Sequence, residues 1–451
     1  MTPTVNDGHE TITTGSGRDI IFTGNGDNTV HAGAGNDDVI GGDRIDALHG
    51  EAGDDWLVGN RGDDVIDGGA GDDVMFGGTP VGTREDFQLG TSDFVLPPEF
   101  ESLEAVFPTG YLPAINITPA IFGGQSVDGI ANDGRDILSG QSGNDIIVGG
   151  SGVDELYGGS GTDYLDAGVG DDRVVQGGAG DDVVRGGSGN DLVHGDQGID
   201  HVLGDDGDDD LFADEGNGAD QAGQRLIGGD GRDSLFAYAP AIADLNEFNA
   251  QAILVGDQLF GGSGGDFLHG NARMEIFDGG AGNDFIAADE FVGSGYEPHF
   301  IAAIGTEADV HGADDTLLGG SGEDQLYGGG GNDLIWGGAV TDYIDGQQGS
   351  DIQYGGSGID LFVLPTTLGS DGHIDPGTDT IDGHFGNAAE GDEPDDNATD
   401  ILTIDGTTGN DTILLGQIAG QGHVLFNGIE KAFNIIDGNG TPWWSSFASL
   451  A

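Results

Sequence analysis

Aspartate recurs along this chain at nine-residue intervals, and such a file of carboxylates is the feature best able to do chemistry. From Val5 to Phe76 the positions are Asp19, Asp37, Asp46, Asp55, Asp64 and Asp73, with Glu10 and Asn28 in the same phase. From Ala131 to Phe212 they are Asp136, Asp145, Asp154, Asp163, Asp172, Asp182, Asp191, Asp200 and Asp209. Asp233 stands in a lone unit, Asp257, Asp266 and Asp284 follow with Glu275 in phase, and Asp315, Asp324, Asp333, Asp342, Asp351 and Asp360 close the series. Carboxylates stacked about 5 Å apart, the spacing of paired strands, repel strongly unless neutralised. Carboxylate and backbone carbonyl oxygens are hard donors. They suit calcium, which takes roughly 6 to 8 ligands in irregular geometry, better than magnesium, which demands an octahedron and keeps its waters. The candidate metal ligands are these aspartates, and the expected cofactor is Ca²⁺ at many sites.

The elements that would position them follow from the rest of the unit, Gly-Gly-x-Gly-x-Asp-x-U-x, where U is large and apolar. The chain holds about 28 such units. Glycine at the first, second and fourth positions admits backbone angles closed to other residues, which predicts a tight turn. The last residues, such as Asp-Val-Val-Arg, predict a very short strand whose eighth residue points inward and whose neighbours point out. In the first array the inward residues are Ile12, Ile21, Val30, Val39, Leu48, Leu57, Ile66 and Met75. One turn and strand cannot bury its single apolar side chain, but stacked copies can build a thin ladder. One extra residue, placed at Gln176, shifts the phase of the second array.

Composition agrees. The 451 residues include 92 Gly and 82 acids against 11 Lys or Arg, for a net charge of -71. Such a chain lacks the apolar surface for an ordinary layered core, and without bound cations it would stay disordered. On the order of 25 calcium ions would supply about +50 charge. The field disfavours nucleic acid and anionic membranes. No apolar run is long enough to span a bilayer. The start, MTPTVNDGHE, lacks the pattern of a cleaved signal peptide. The absence of Cys removes disulfides and thiolate metal sites.

Units such as Gly186–His194 (GGSGNDLVH) and Gly68–Phe76 (GGAGDDVMF) resemble the RTX (repeats-in-toxin) calcium-binding nonapeptide, and matching units cover somewhat over half the chain. The resemblance implies an all-β fold, a right-handed parallel β-roll solenoid with two nonapeptides per coil and Ca²⁺ in the turns. It implies export by a type I secretion apparatus, with folding outside the cell. The ligands it carries over are the sixth-position aspartates named above. Asn28, Glu10 and Glu275 depart from the motif, as does Arg273 in place of the fourth-position glycine.

Repeats and breaks give a domain plan of β-roll arrays at residues 5–78, 131–236, 252–287 and 310–363. Non-repeat insertions fall at 79–130, 237–251 and 288–309. The first is proline-rich and is expected to fold back over the roll, and the second holds a short helix after Pro240. Residues 364–451 read as a C-terminal β cap whose tail, TPWWSSFASLA, resembles an uncleaved secretion signal.

Catalytic motifs find no support in their contexts. Gly261–Gly265 (GGSGG) imitates a nucleophile elbow, but Ser263 is the third position of an ordinary repeat. His9-Glu10 lacks the second histidine of a zinc-protease helix. His49, His194 and His269 fall at the ninth position and are expected to face solvent. The expectation is a non-enzymatic, secreted, calcium-binding protein, folding on Ca²⁺ and meeting an extracellular protein or polysaccharide in an adhesive, matrix or surface role. The alternative is the calcium-dependent secretion and folding module of an exported exoenzyme or toxin. Because the array begins by Val5, no catalytic domain is expected ahead of it.

Overall fold

The computed structural model describes residues 8–79, 134–213, 223–237, 255–271, 273–288, 313–347 and 349–364, and the strands at 378–382, 401–404, 413–418, 421–426 and 429–435. The expectations for most of 79–130, for the helix after Pro240, for 289–309 and for the C-terminal tail lie outside these residues. No helix occurs among the described residues, and so none long and apolar enough to cross a membrane. Contacts divide the chain into two compact units, 1–229 and 230–451.

In the first unit, successive nonapeptides alternate between two parallel sheets. Strands Thr11–Thr13, Thr29–Ala34, Ala47–Ala52 and Val65–Ala70 begin one sheet, and Ile20–Phe22, Asp38–Ile40, Trp56–Val58 and Val74–Phe76 begin the other. Each coil therefore uses two units, and most strands pair with neighbours eighteen residues away. The inward file of the first sheet runs Ile12, Val30, Leu48, Ile66, Leu138, Leu156, Val175, Val193 and Leu211. The second sheet answers with Ile21, Val39, Leu57, Met75, Ile147, Leu165, Val184 and Val202. Most of these side chains are wholly buried. At roughly 1.5–3 kcal/mol for each fully buried aliphatic chain, this ladder is the main apolar contribution to stability. Ile66 pairs directly with Leu138, so the break between the first two arrays leaves the register intact.

Two details differ from the sequence reading. The extra residue of the second array is absorbed between Asp172 and Val175, not at Gln176, because the stack needs Val175 between Leu156 and Val193. Large outward residues of the second sheet are also buried. Trp56, Val58, Phe76, Ile146, Val148, Tyr164, Val183 and Leu203 form an apolar cluster on the side opposite the ladder.

The second unit repeats the plan. Its first sheet aligns Leu235, Leu268, Ile286, Leu326, Ile344 and Phe362 inward, and its second aligns Leu259, Phe277, Leu317, Ile335, Gln353 and Ile381. Outward aromatics of the first sheet meet along the coils, with Phe236 stacked on His269 at 4.9 Å and Tyr327 tilted against Tyr343 at 5.4 Å. The unit ends in an antiparallel meander, Ile413–Ile418, Gln421–Phe426 and Ile429–Ile435, whose last strand pairs in parallel with Thr378–Asp382. Such an end removes a free parallel edge.

Candidate metal centre

The turns are shaped by glycine and then enforced by stacking. Gly178 and Gly180 have φ of 110° and 141°, open to glycine and strained for other residues. At several turns where glycine is missing at the second or fourth position, the substitute is still held at positive φ, as at Asp196, Asp205 and Val340. The turn geometry thus belongs to the stack as well as to the residue.

These turns bring the sixth-position aspartates into two continuous columns per unit, one on each side of the roll. The backbone N–H of each donates to Oδ1 of the aspartate one coil later: Asp37 to Asp55 at 2.7 Å, Asp145 to Asp163 at 2.8 Å, Asp182 to Asp200 at 2.9 Å, Asp324 to Asp342 at 3.0 Å. The columns pass over the insertions unbroken, with Asp64 bonded to Asp136 at 2.6 Å and Asp284 to Asp324 at 2.9 Å. Of the aspartates predicted as ligands, all but Asp19, at the first coil, are 3 % exposed or less.

The second carboxylate oxygen has a different fate. At Asp37, Asp55, Asp73, Asp145, Asp163, Asp172, Asp182, Asp191, Asp200, Asp284, Asp315, Asp324 and Asp342 it is buried with no hydrogen-bond partner. It turns back toward the first glycine of its own unit. A Cβ on Gly177 would sit 2.7 Å from both Asp182 Oδ2 and the Gly195 carbonyl oxygen of the next coil. Bare hydrogen at that glycine leaves a small space lined by two hard oxygens. Burial pushes the carboxyls upward, and neighbouring acids add to it: Asp73, Asp172, Asp182 and Asp342 to about 8, Asp145, Asp191 and Asp324 to about 7. Ionised and dry, such a column requires a counter-charge. Among the described residues no group of three or more His, Cys, Asp or Glu side chains converges as a side-chain cage. What each turn offers is carboxylate and carbonyl oxygen, a donor set that fits calcium.

The variant positions behave differently from one another. Asn28 keeps the column bond, accepting the Glu10 N–H at 3.0 Å, and its amide nitrogen donates to Gly26 O at 2.8 Å. Glu275 also keeps it, donating its N–H to Asp315 at 2.7 Å, while its Oε2 accepts the Asn271 N–H. Arg273 beside it is buried. His194, expected to face solvent, is 3 % exposed and stacked on Phe212 at 4.8 Å, because the ladder of outward side chains covers it.

A second column went unread in the sequence. Side chains at the fifth position accept N–H groups from the following coil, opposite in direction to the aspartate column: Asp72 N–H to Asp54, Asn144 to Asp72, Thr162 to Asn144. Its signal lies in the recurrent Gly-Asn-Asp and Gly-Asp-Asp triplets, in which the fifth residue repeats beside the sixth. These residues are exposed and bind the coils together at the surface.

Fold and turns together define a class, the nonapeptide-repeat β-solenoid with acid-lined turns. Among protein-family models, the RTX calcium-binding nonapeptide repeat (4 copies) matches residues 4–39, 40–79, 130–165, 139–174, 174–202, 187–218, 256–286, 311–344, 341–362 and 403–417, more than half of the chain. The chain belongs to the RTX calcium-binding nonapeptide-repeat family. A search of curated proteins gave no match. The match at 403–417 falls in the stretch read above as cap and contains GTTGNDTIL, Gly406–Leu414, a unit that the sequence reading passed over. Its Asp411 lies outside the described residues.

Proposed function

We propose that this is a secreted protein that folds when its turns take up Ca²⁺, and that it serves outside the cell as a structural or interaction protein. The sixth-position aspartates, with carbonyls of the first-position glycines, hold the ions. Bound calcium would neutralise the columns and tie successive turns together. The observation carrying this reading is the file of buried carboxylates whose Oδ2 atoms lack hydrogen bonds, in a family defined by calcium-binding repeats. An unfolded turn does not present its oxygens together, so binding free energy becomes folding free energy. Low cytosolic calcium would keep the chain open for the type I route that the family uses, and extracellular calcium would close it. Its partner there would be a protein or polysaccharide, since the charge of -71 turns away polyanions.

Circular dichroism during a calcium titration, starting from chelator, tests the reading. The β signal is expected to appear with calcium. A signal complete in chelator and unmoved by millimolar calcium would sink it.

A further inference from the structure

The inward file on the second sheet of the 230–451 unit is apolar at Leu317 and Ile335 and again at Ile381. Between Ile335 and Ile381 it carries Gln353, 1 % exposed. Neither the amide oxygen nor the amide nitrogen of Gln353 has a hydrogen-bond partner. A primary amide with no partner in an apolar ladder is costly, and leucine of similar volume would serve the core better.

The direction of the amide supplies a reason for it. Its nitrogen lies 2.5 Å from the point where a Cβ on Gly346 would sit, and Asp351 Oδ2 closes on the same point. At the equivalent point on Gly337 the nearest atoms are Asp342 Oδ2 and the carbonyl oxygen of Gly355 in the next coil, each at 2.5 Å. Gln353 therefore stands, at Gly346, where a turn carbonyl stands at Gly337. Rotation about its last bond exchanges nitrogen for oxygen at that place. Calcium accepts side-chain amide oxygens among its ligands.

We propose that Gln353 is a calcium ligand, supplying from inside the ladder an oxygen to the site formed by Gly346 and Asp351. The inference rests on the calcium reading above and adds to it a site with a second side-chain donor, built from an eighth-position residue.

Hydrogen exchange of the full chain, followed by mass spectrometry across a calcium titration, separates the two. Peptides spanning residues 346–360 report the site, and peptides spanning 183–197 report turns without such an amide. In Gln353→Leu the calcium midpoint for protection of 346–360 is expected to rise on the order of tenfold, as for loss of one group supporting a metal. The 183–197 midpoint is expected to stay in place. Gln353→Glu, which keeps an oxygen and adds charge, is expected to hold or lower the 346–360 midpoint. An unchanged or lowered midpoint in Gln353→Leu would overturn the assignment and leave Gln353 a misfit in the core. Peptides of the parent protein that gain no protection with calcium in either region would instead overturn the calcium reading.

Discussion

The side-chain nitrogen of Asn28 donates to the carbonyl oxygen of Gly26 at 2.8 Å, closing a turn with a neutral hydrogen bond. An aspartate held in the same pose would set acceptor against acceptor and would need a proton or a cation between them. Asparagine at a column position should therefore mimic the loaded turn. Asp182→Asn keeps an acceptor for the Asp163 N–H, now 2.8 Å from Asp182 Oδ1. It is expected to fold at lower calcium than the parent in a dichroism titration, and to bind fewer calcium ions at saturation by equilibrium dialysis. Asp182→Ala leaves that buried N–H without an acceptor and should cost about 1–3 kcal/mol even with calcium present. An asparagine variant that needs more calcium than the parent to fold would contradict this account.

Acid should substitute for calcium. Asp73, Asp172, Asp182 and Asp342 titrate at about 8 in the folded chain, against about 3.9 for unfolded aspartate. Between these values the folded state holds protons that the unfolded state has released, so metal-free stability falls as pH rises. The contribution is fully present below about pH 4, declines across the interval and is gone above about pH 8. Dichroism of calcium-free protein at low concentration, stepped from acid to neutral, should show the β signal disappear. The calcium midpoint should move the other way, rising as protons compete below about pH 7. Metal-free protein that gains stability from acid to neutral pH would overturn the argument.

The space at the first-position glycine is expected to be indispensable. A methyl group at Gly177 would lie 2.7 Å from Asp182 Oδ2 and from Gly195 O, well inside van der Waals contact. Gly177→Ala should destabilise the calcium-loaded protein by roughly 1–3 kcal/mol, the usual cost of overpacking. It should also weaken calcium binding in the 1–229 unit. A calcium-loaded denaturation midpoint equal to that of the parent would show that the turn has room to spare.

Val340 presents the opposite case, a β-branched residue held at φ 94° where most units carry glycine. Its N–H donates to Ser357 O at 2.7 Å, and glycine would preserve that bond. Val340→Gly is expected to raise calcium-loaded stability by roughly 1–2 kcal/mol through relief of backbone strain. Urea denaturation at saturating calcium reads the change directly, and a lower midpoint would count against strain at this turn.

Much of this architecture was legible in the residues. A nine-residue period with one apolar position specifies the ladder from Val30 to Leu211, because no other register buries those side chains. The sixth-position aspartates could be placed in columns for the same reason. The phase of the extra residue in the second array was misread, because counting forward from Asp172 ignores that the next Gly-Gly fixes the inward residue two places ahead of it. The burial of Trp56, Phe76 and His194 was illegible, since it depends on what neighbouring coils present rather than on the unit itself. Gln353 was passed over because a polar residue at an inward position reads as a defect until its direction is known.

The bond from Asp64 to Asp136 spans 72 residues where its neighbours span eighteen. Closing a loop four times longer costs only about 1 kcal/mol more in chain entropy. The penalty falls on the rate at which the two sides meet. Coils ending at Asp73 and coils beginning at Asp136 can each zip from their own nucleus, with the seam joining last. Further residues added between them should slow the joining of the two stacks and barely alter the equilibrium between folded and unfolded chain.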